Sequence, residues 1–378
     1  MKITCITLWH KSLPLAKPYW LSGGRLKFEV LDSTFVRVDT DEDLSGWGEG
    51  CPWGNTYLPA HGPGIRAGIE TMAPAILGMD PRRTNHINQA MDLTLPGHLY
   101  AKAPLDIACW DIAGQAAGLP IAELMGGCYP TPTPVASSIS TGTPQEMLAE
   151  IKDYRERGYR VHSAKVGADT VEDIERVRFL ETHRNRGEVI FYDVNRAWTR
   201  AEAVTVMNAV VDLPVTFEQP CETLEDCLAV RRLTSHPISI DERLDTLADM
   251  TRIVSEGIAE LINIKINRVG GLTRAARIRD LALAHGIGIS VMPTGGTVLA
   301  DTDAIHFAQT IPDPYRLRVW SCQDMITVDP APGRGARVED GMLSAPDGPG
   351  LGVAPDDEWL GEPDVVCQRQ VTYPCCAG

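Results

Sequence analysis

The sequence predicts an α/β protein, a (β/α)8-type barrel preceded by a smaller α+β domain. Eight short apolar runs, separated by stretches with helical spacing, recur between about residues 133 and 320, as a parallel sheet covered on both faces requires. The earlier residues differ, because strand-like segments come first and helix-like segments follow. We predict an N-terminal domain over residues 1–125, a barrel over 126–322 and a C-terminal segment, 323–378, that packs back on the first domain.

The N-terminal domain is predicted from strand patterns followed by helix patterns. Thr34–Asp39 alternates apolar and polar residues, which is typical of a half-buried antiparallel strand. A second strand-like segment, Leu44–Gly50, follows after an acidic turn. Helical spacing covers 64–77 and a later segment, in which Pro104 suits the first turn and Gly118 suits the end.

The barrel is predicted from eight runs of the length and composition of buried parallel strands. They are Val135–Ser140, Arg160–Val166, Val189–Val194, Val215–Glu218, Ile238–Asp241, Leu261–Ile266, Gly288–Met292 and Leu317–Trp320. Helical spacing separates them, for example over Pro144–Arg157, Val171–Thr182, Ala201–Val211 and Arg274–His285. A doubly wound sheet would have fewer strands, and no glycine-rich phosphate-binding turn follows the first run.

Charged residues recur at the carboxyl ends of five successive predicted strands, where the active site of a parallel barrel lies. They are Lys165, Asp193, Glu218, Asp241 and Lys265, spaced by one strand–helix unit each. A single acid in such a position often caps a helix or pairs with an arginine. Three acids on adjacent strand ends would repel one another, however, and carboxylate oxygens suit Mg²⁺. We therefore predict a magnesium site formed by the three acids.

The two lysines flank the three acids along the chain, and barrel closure would place them on opposite sides of the bound substrate. A single lysine at a strand end is usually a solvated charge, whereas a desolvated lysine beside a metal can act as a base near neutrality. A carboxylate substrate held by Mg²⁺ has an acidified α-proton. Lys165 and Lys265 are therefore the predicted catalytic residues.

These motifs as a set resemble the enolase superfamily, specifically its muconate-lactonizing-enzyme type, over nearly the whole chain. They are Ser163-Ala-Lys165, Asp193-Val-Asn195, Glu218-Gln-Pro220, Asp241-Glu242 and Lys265-Ile-Asn-Arg-Val-Gly-Gly271. The resemblance implies an N-terminal domain that caps the barrel mouth. It also implies that the three acids bind Mg²⁺ and that the two lysines are an acid/base pair.

The chain departs from the family pattern in three places. Ser163 stands where the family usually has the first lysine of Lys-x-Lys, which removes one cation from the site. The seventh strand ends in Met292-Pro-Thr-Gly-Gly296 without histidine, which argues against the mandelate-racemase subgroup. The Asp-x-Asp of dipeptide epimerases is missing after the eighth strand, and we interpret Asp301-Thr-Asp303 as helix surface.

Substrate specificity is predicted to depend on the segments Tyr19–Arg25 and Cys51–His61, whose glycines give them hinge freedom. Their aromatic side chains would form rigid walls, or would simply pack onto the barrel. Such walls suit a compact ring, including one with a cationic nitrogen. The predicted substrate-binding residues are Tyr19, Trp20, Trp53, Tyr57, Ser163, Asn195, Glu242 and Trp320.

The whole sequence is similar to the branch of the superfamily that acts on proline derivatives. That resemblance implies a hydro-lyase that dehydrates cis-3-hydroxy-L-proline to Δ1-pyrroline-2-carboxylate. The alternative on the same scaffold is a racemase or epimerase of proline betaine or hydroxyproline. A metal-free Schiff-base lyase that uses either lysine, and a barrel without catalytic activity, are the alternatives of other classes.

Composition disfavours several partners and locations. With 35 Lys and Arg against 50 Asp and Glu, the net charge of −15 repels nucleic acid and anionic membranes. No apolar run reaches the length of a membrane span, and the first residues do not resemble a signal peptide. We expect a cytoplasmic enzyme that acts on a small carboxylate, with ten reduced cysteines of which only Cys375-Cys376 is a candidate for oxidation. The family resemblance implies a homo-oligomer.

Overall fold

The computed structural model describes residues 1–368, which form a four-stranded antiparallel sheet and a closed parallel barrel, each with its own helices. The strands are β1 (Ile3–Leu21), β2 (Leu26–Thr40), β3 (Ser45–Gly50), β4 (Thr133–Ile139), β5 (Val161–Lys165), β6 (Val189–Asp193), β7 (Thr216–Glu218), β8 (Ile238–Ile240), β9 (Leu261–Lys265), β10 (Gly288–Met292), β11 (Arg316–Trp320), β12 (Met342–Leu343) and β13 (Val365–Gln368). The helices are α1 (Gly62–Ile76), α2 (Thr84–Thr94), α3 (Leu99–Ala117), α4 (Ile121–Leu124), α5 (Pro144–Glu156), α6 (Thr170–Thr182), α7 (Arg200–Ala209), α8 (Leu224–Arg231), α9 (Leu247–Glu256), α10 (Ile266–Val269), α11 (Leu272–Ala284), α12 (Val298–Ala308) and α13 (Asp357–Leu360).

The barrel consists of β4 to β11, each parallel to its neighbours in chain order. It closes where β11 pairs with β4, Val319 beside Val135 and Trp320 beside Ala136. Every predicted apolar run overlaps one of these strands, because a strand covered on both faces must be apolar throughout. The predicted fold, an α/β barrel with an N-terminal α+β domain, is confirmed.

Several barrel helices begin at a threonine whose side chain satisfies a free backbone N–H. Thr143, Thr199 and Thr246 each accept a hydrogen bond from the third helical residue, and the acid at that position accepts from the threonine backbone in return. This reciprocal capping box fixes where α5, α7 and α9 start. The loops that precede these helices come from the strand ends, so the caps also fix the geometry around the site.

The N-terminal sheet packs against α3, which is buried on most of its sides. Gly46 and Gly48 of β3 permit this approach, since a Cβ on Gly46 would lie 2.7 Å from Ile112 and one on Gly48 would lie 2.8 Å from the Pro104 carbonyl carbon. Gly118 ends α3 in the left-handed conformation, as predicted. The prediction that Pro104 lies in the first turn is wrong, because α3 starts at Leu99 and Pro104 lies inside it.

A buried carboxylate joins β3 to the segment that follows β10. Glu49 accepts hydrogen bonds from Ser33 Oγ at 2.6 Å, from Thr297 N at 2.9 Å and from Ala300 N at 3.3 Å, the last two at the start of α12. Burial raises the pKa of Glu49 from its ordinary value of 4.5 to about 7. The N-terminal sheet therefore holds the loop at the mouth of the barrel through an ionisable group.

The interpretation of Asp301-Thr-Asp303 as helix surface is wrong. Both acids are fully buried, because α12 packs between the barrel, β3 and α4. Asp301 accepts from Ser321 Oγ at 2.7 Å and from Cys322 N at 2.9 Å, which anchors the segment after β11. Burial raises the pKa of Asp301 to about 6 and that of Asp303 well above its usual range.

The segment after residue 322 contacts both units. β13 pairs antiparallel with β1, Leu8 beside Val365, and Trp9 Nε1 donates to the Gly361 carbonyl at 3.0 Å. β12 pairs antiparallel with β4 in the barrel. The last part of the chain therefore ties the N-terminal sheet to the barrel.

Two predictions from the sequence, on membrane-spanning segments and on the state of the cysteines, concern the structure of residues 1–368. In this part of the chain, no helix combines the length and apolar character needed to cross a membrane. The eight cysteines that the structure describes are all free thiols. The pair Cys375-Cys376 lies outside the described residues.

Candidate active site

The strand-end residues converge on one cavity between the barrel mouth and the N-terminal domain. The cavity is small, with about 490 Å³ of empty space when its open mouth is included. The predicted residues that line it are Tyr19, Trp53, Tyr57, Ser163, Lys165, Asp193, Asn195, Glu218, Asp241, Lys265 and Trp320. Tyr19 and Trp320, which are 301 positions apart and come from different domains, thus belong to a single site.

The three acids are buried, and each is paired with a cationic side chain. Asp193 ends β6 and pairs with Lys165 Nζ, and Glu218 ends β7 and accepts from Arg318 Nη2 at 2.6 Å. Asp241 follows β8 and is shared by Lys265 Nζ at 2.8 Å and Arg268 Nη1 at 2.6 Å. The acids stay buried because these cations offset their charges.

The ionisation of the site reflects burial and mutual charge. Burial, and next the charge of Asp193, raise the pKa of Glu218 to about 8. Burial acts in the same direction on Asp241, but Lys265 and Arg268 outweigh it and lower the pKa of that carboxyl. Burial disfavours the Lys165 ammonium, yet Asp193, followed by Tyr19, raises its pKa overall. The cavity thus holds closely spaced negative groups that a cation would stabilise.

The two lysines lie on opposite walls of the cavity. β5 and β9 are four strands apart in a closed barrel of eight, so Lys165 and Lys265 approach the centre from opposite sides. Lys265 Nζ also lies 3.1 Å from the Tyr57 hydroxyl, which ties it to the loop of the N-terminal domain. A small substrate between the walls would present one face to each ammonium or amine.

The donor set suits Mg²⁺, although the side chains are now arranged around their own cations. Within residues 1–368, no three His, Cys, Asp or Glu side chains converge as a preformed metal site. Asp193, Glu218 and Asp241 nevertheless line one cavity and supply hard carboxylate oxygens, the ligands that Mg²⁺ prefers. Burial, and next Asp193, raise the pKa of Glu218 although Arg318 and Lys165 lower it, so a further positive charge beside Glu218 would favour its carboxylate form.

Packed aromatic rings form one wall of the cavity. Trp53 packs edge to face with Tyr19 at 5.7 Å and with Trp320 at 5.5 Å between ring centroids. Trp320 Nε1 donates to Ser138 Oγ at 2.6 Å, which fixes the indole at the end of the eighth barrel strand. The walls predicted from Tyr19, Trp53, Tyr57 and Trp320 therefore form around one space.

Two predicted substrate-binding residues do not line this space. Trp20 is 39% exposed and packs against Lys27, because β1 extends to Leu21 and its alternation turns Tyr19 and Leu21 inward and Trp20 outward. Glu242 lies behind the wall, where it accepts from Tyr57 at 2.8 Å and from Asn195 Nδ2 at 3.0 Å.

Sequence reasoning missed seven residues of the site or its support, among them the apolar Leu21 and Ala136 in the cavity wall. Ser138, Met292 and Thr294 line the cavity, and Arg268 and Arg318 hold two of the acids from behind. The sequence pattern could have indicated Ser138 and Arg318, because each places a polar side chain at an inward-facing position of an otherwise apolar strand. No sequence pattern indicates Thr294, because its placement depends on a backbone conformation that composition does not reveal.

The missing lysine at position 163 has a structural counterpart. Ser163 is the register partner of Phe191, and the Arg318 guanidinium stacks on the Phe191 ring at 3.6 Å. Arg318 is fully buried inside the barrel and also donates to Ser290 Oγ at 3.2 Å. The eighth barrel strand therefore supplies a cation to the barrel interior close to the level of Ser163.

Two family models match the chain. Residues 6–126 match the N-terminal domain of the mandelate racemase/muconate lactonizing enzyme family, and residues 146–359 match the enolase C-terminal domain-like family. The chain belongs to this family of the enolase superfamily, and the prediction of an enzyme of the superfamily is confirmed.

Individual relatives extend over nearly the full chain. A cis-3-hydroxy-L-proline dehydratase from Roseibium aggregatum is 39% identical over 365 residues, 96% of this chain and 99% of that protein. An N-succinyl-L-Arg/Lys racemase from Bacillus cereus is 30% identical and covers 82% of this chain and 84% of its own length.

Solved structures agree with the fold in detail. A protein from Silicibacter pomeroyi assigned to the mandelate racemase/muconate lactonizing enzymes has a TM-score of 0.95 and 58% identity, covering 98% of this chain and 100% of that one. An enolase-superfamily member from Roseovarius nubinhibens, solved as a magnesium complex, has a TM-score of 0.94 and 51% identity, with 97% and 100% coverage.

Proposed function

We propose that the protein is a Mg²⁺-dependent dehydratase that converts cis-3-hydroxy-L-proline to Δ1-pyrroline-2-carboxylate. The observation that carries the proposal is the pair of lysines on opposite walls of a cavity that three carboxylates also line. The relative from Roseibium aggregatum, a dehydratase for this compound, supports the choice of substrate. The small cavity and its aromatic walls suit a compact ring rather than an extended dipeptide.

Asp193, Glu218 and Asp241 would hold the metal ion. When bound, Mg²⁺ would neutralise the substrate carboxylate and the negative charge that develops there as the α-proton leaves. The magnesium complex of the Roseovarius nubinhibens relative supports this cofactor. The acids must exchange their present lysine and arginine contacts for the ion, which would free the lysines to face the substrate.

The lysines supply the proton transfers of the elimination. One lysine amine takes the Cα proton, the Cα electron pair forms the double bond to Cβ, and the Cβ–O bond breaks with its electrons on oxygen. The departing hydroxide takes a proton from a lysine ammonium and leaves as water. Proton and hydroxide on the same ring face would allow one lysine to serve both steps. The enamine product then tautomerises to the cyclic imine.

The aromatic walls orient the ring and keep water out. Tyr19, Trp53 and Trp320 are held by one another and by Ser138, so they need little ordering when substrate binds. Their π-faces and the surrounding acids favour the cationic ring nitrogen of an amino acid. Excluded water strengthens each electrostatic contact within the cavity.

The test is incubation with Mg²⁺ and cis-3-hydroxy-L-proline in D₂O, followed by proton NMR and by o-aminobenzaldehyde, which detects the cyclic imine. We expect imine from this substrate, and exchange or epimerisation at most from L-proline and proline betaine. EDTA should abolish the activity and added Mg²⁺ should restore it. Full activity in metal-stripped protein would contradict the mechanism.

Epimerisation of a proline derivative is the second candidate. The lysines on both walls favour it, since removal of a proton from one face and return on the other needs a base on each. The Bacillus cereus racemase among the relatives supports it as well. Loss of the Cα proton signal with an intact C3 hydroxyl, for every compound tested, would select epimerisation over dehydration.

A metal-free Schiff-base lyase would need a neutral lysine free to attack a carbonyl. The ion pairs of Lys165 and Lys265 with aspartate oppose it, and borohydride trapping with substrate would detect it. A cytoplasmic location, a homo-oligomeric state and the lack of nucleic acid and membrane partners stay predictions.

A further inference from the structure

Thr294 holds an unused hydroxyl in the wall of the catalytic cavity. Its side chain lines the cavity two residues after Met292, the register partner of Lys265. Thr294 is only 3% exposed, and its Oγ1 has no hydrogen-bond partner. The Tyr100 hydroxyl lies close enough to interact weakly with Thr294, but neither oxygen has a partner at good hydrogen-bond geometry. A buried hydroxyl without a partner is unfavourable unless a ligand completes it.

The backbone at Thr294 is strained. Its φ is +103°, a value that a β-branched residue strongly disfavours. Glycine would adopt it freely, and the next two residues, Gly295 and Gly296, are glycines. The loop thus carries a threonine where glycine would cost least, which indicates that the hydroxyl has a use.

Among the other polar groups along the cavity wall, Trp53 Nε1 and Asn195 Oδ1 also lack a partner, but the first can only donate and the second can only accept. Ser138 accepts from Trp320, and the Asn195 amide nitrogen donates to Asp193 at 3.1 Å and to Glu242. The acids and lysines suit the charged carboxylate and ring nitrogen of an amino acid. A neutral hydroxyl that can both donate and accept suits a neutral hydroxyl of the ligand.

We infer that Thr294 binds the ring hydroxyl of the substrate and so selects a 3-hydroxylated ring over the unsubstituted one, an inference that rests on the proposed function. Thr294 Oγ1 would hydrogen-bond the C3 oxygen on the side of the cavity that carries Lys265. The contact would align the Cβ–O bond for cleavage and stabilise the charge that collects on the leaving oxygen. It would also satisfy the otherwise unpaired Thr294 hydroxyl.

Three substitutions separate the hydroxyl from the strain. Thr294→Val keeps the shape and the strain and removes the hydroxyl, Thr294→Ser keeps the hydroxyl, and Thr294→Gly removes both. The first readout is the partition of cis-3-hydroxy-L-proline in D₂O between α-deuterated substrate and imine. We expect Thr294→Val to shift this ratio at least about tenfold toward deuterated substrate and Thr294→Ser to stay within about threefold of wild type.

The second readout does not depend on turnover. In a Lys165→Ala/Lys265→Ala background with Mg²⁺, calorimetry should show tighter binding of cis-3-hydroxy-L-proline than of L-proline. Thr294→Val should reduce this preference about tenfold. Equal preference with and without the Thr294 hydroxyl would overturn the inference, as would failure of cis-3-hydroxy-L-proline to bind. If wild type forms no imine while the preference holds and depends on Thr294, the proposed reaction fails and the inference stands.

The third readout tests the cost of the strained residue. Thr294→Gly should raise the melting temperature of the metal-free protein by about 2–4 °C, because it relieves the backbone, while selectivity is lost as in Thr294→Val. A purely structural role for Thr294 would give the opposite result, a lower melting temperature with unchanged selectivity.

Discussion

The hairpin that covers the barrel should be intolerant of a single methyl group at its tip. Gly23 lies in the turn between β1 and β2, over the loop that follows β5, and the adjacent Ser22 Oγ donates to the Asn195 carbonyl at 3.1 Å. A Cβ on Gly23 would lie 2.5 Å from the Gly167 carbonyl carbon and closer still to its oxygen, whereas ordinary contact begins at 3.4 Å. Gly23→Ala must therefore lift the hairpin tip by about 0.9 Å or more.

That displacement should affect catalysis far more than stability. Tyr19 and Leu21 on the same strand line the cavity, so the lift moves a wall of the site. A misplacement of about 1 Å can cost about 100-fold in rate, or about 2.7 kcal/mol in the transition state. We expect kcat/KM for imine formation to fall by about that factor, with a melting temperature close to that of the control.

The chain offers a matched control one residue away. Gly24 has φ +79°, close to the +63° of Gly23, but a Cβ there would meet nothing within 4 Å. Gly24→Ala therefore adds the backbone penalty of about 1 kcal/mol without the clash. Equal kcat/KM for the two variants would refute the reasoning, because the clash with Gly167 would then have no consequence.

Three further predictions concern charged groups. In D₂O, Lys165→Ala and Lys265→Ala should each abolish α-proton exchange on one stereochemical face, as NMR of both substrate epimers would show. Arg318→Met should lower the free energy of unfolding in urea by about 1–3 kcal/mol, because it leaves the buried Glu218 carboxyl without its hydrogen-bond partner at 2.6 Å. Glu49→Gln should flatten the pH dependence of stability between pH 4.5 and 7. The native pKa of Glu49 is raised to about 7, so its protonated form stabilises the fold below pH 4.5 and this contribution disappears as pH rises to 7, by about 1.4 kcal/mol per unit at most.

Each of these predictions has a clear contrary outcome. Exchange of both epimers at wild-type rates in both lysine variants would remove the lysines as bases. The control for Arg318 is Arg178→Met, which breaks an exposed pair with Asp212 and should cost less than about 1 kcal/mol. Equal losses for the two arginines would contradict the argument from burial. If the slope of unfolding free energy against pH is unchanged in Glu49→Gln, another acid determines the pH dependence of stability in this range.

The barrel and its charged residues could be predicted because both depend on local patterns. An apolar run that ends in Asp193, Glu218 or Lys265 marks a buried parallel strand and its carboxyl end at once. The order of strands around a closed barrel then places these side chains in one cavity without further information. The caps of α5 and α7 are local for the same reason.

The errors arise where tertiary packing decides. Tyr19-Trp20-Leu21 is apolar throughout, so only the strand register shows that Trp20 faces solvent. Asp301 and Asp303 look like surface acids until α12 is enclosed on every side. Pro104 fits a first turn by composition, yet the helix extends one turn further toward the N-terminus. Thr294 is recognisable only by its φ.

The pairing of β13 with β1 has a consequence for the synthesis of the protein. His10 N donates to Asp364 at 2.6 Å across a separation of 354 residues, beside the strand pair itself. At roughly 5–20 residues per second, a ribosome needs roughly 20–70 s to make the intervening chain. During that time one edge of β1 is unpaired and open to other strands. A nascent or prematurely terminated chain can form barrel units but lacks the strand that pairs with Cys5–Leu8, so the N-terminal sheet is complete only after β13 has emerged.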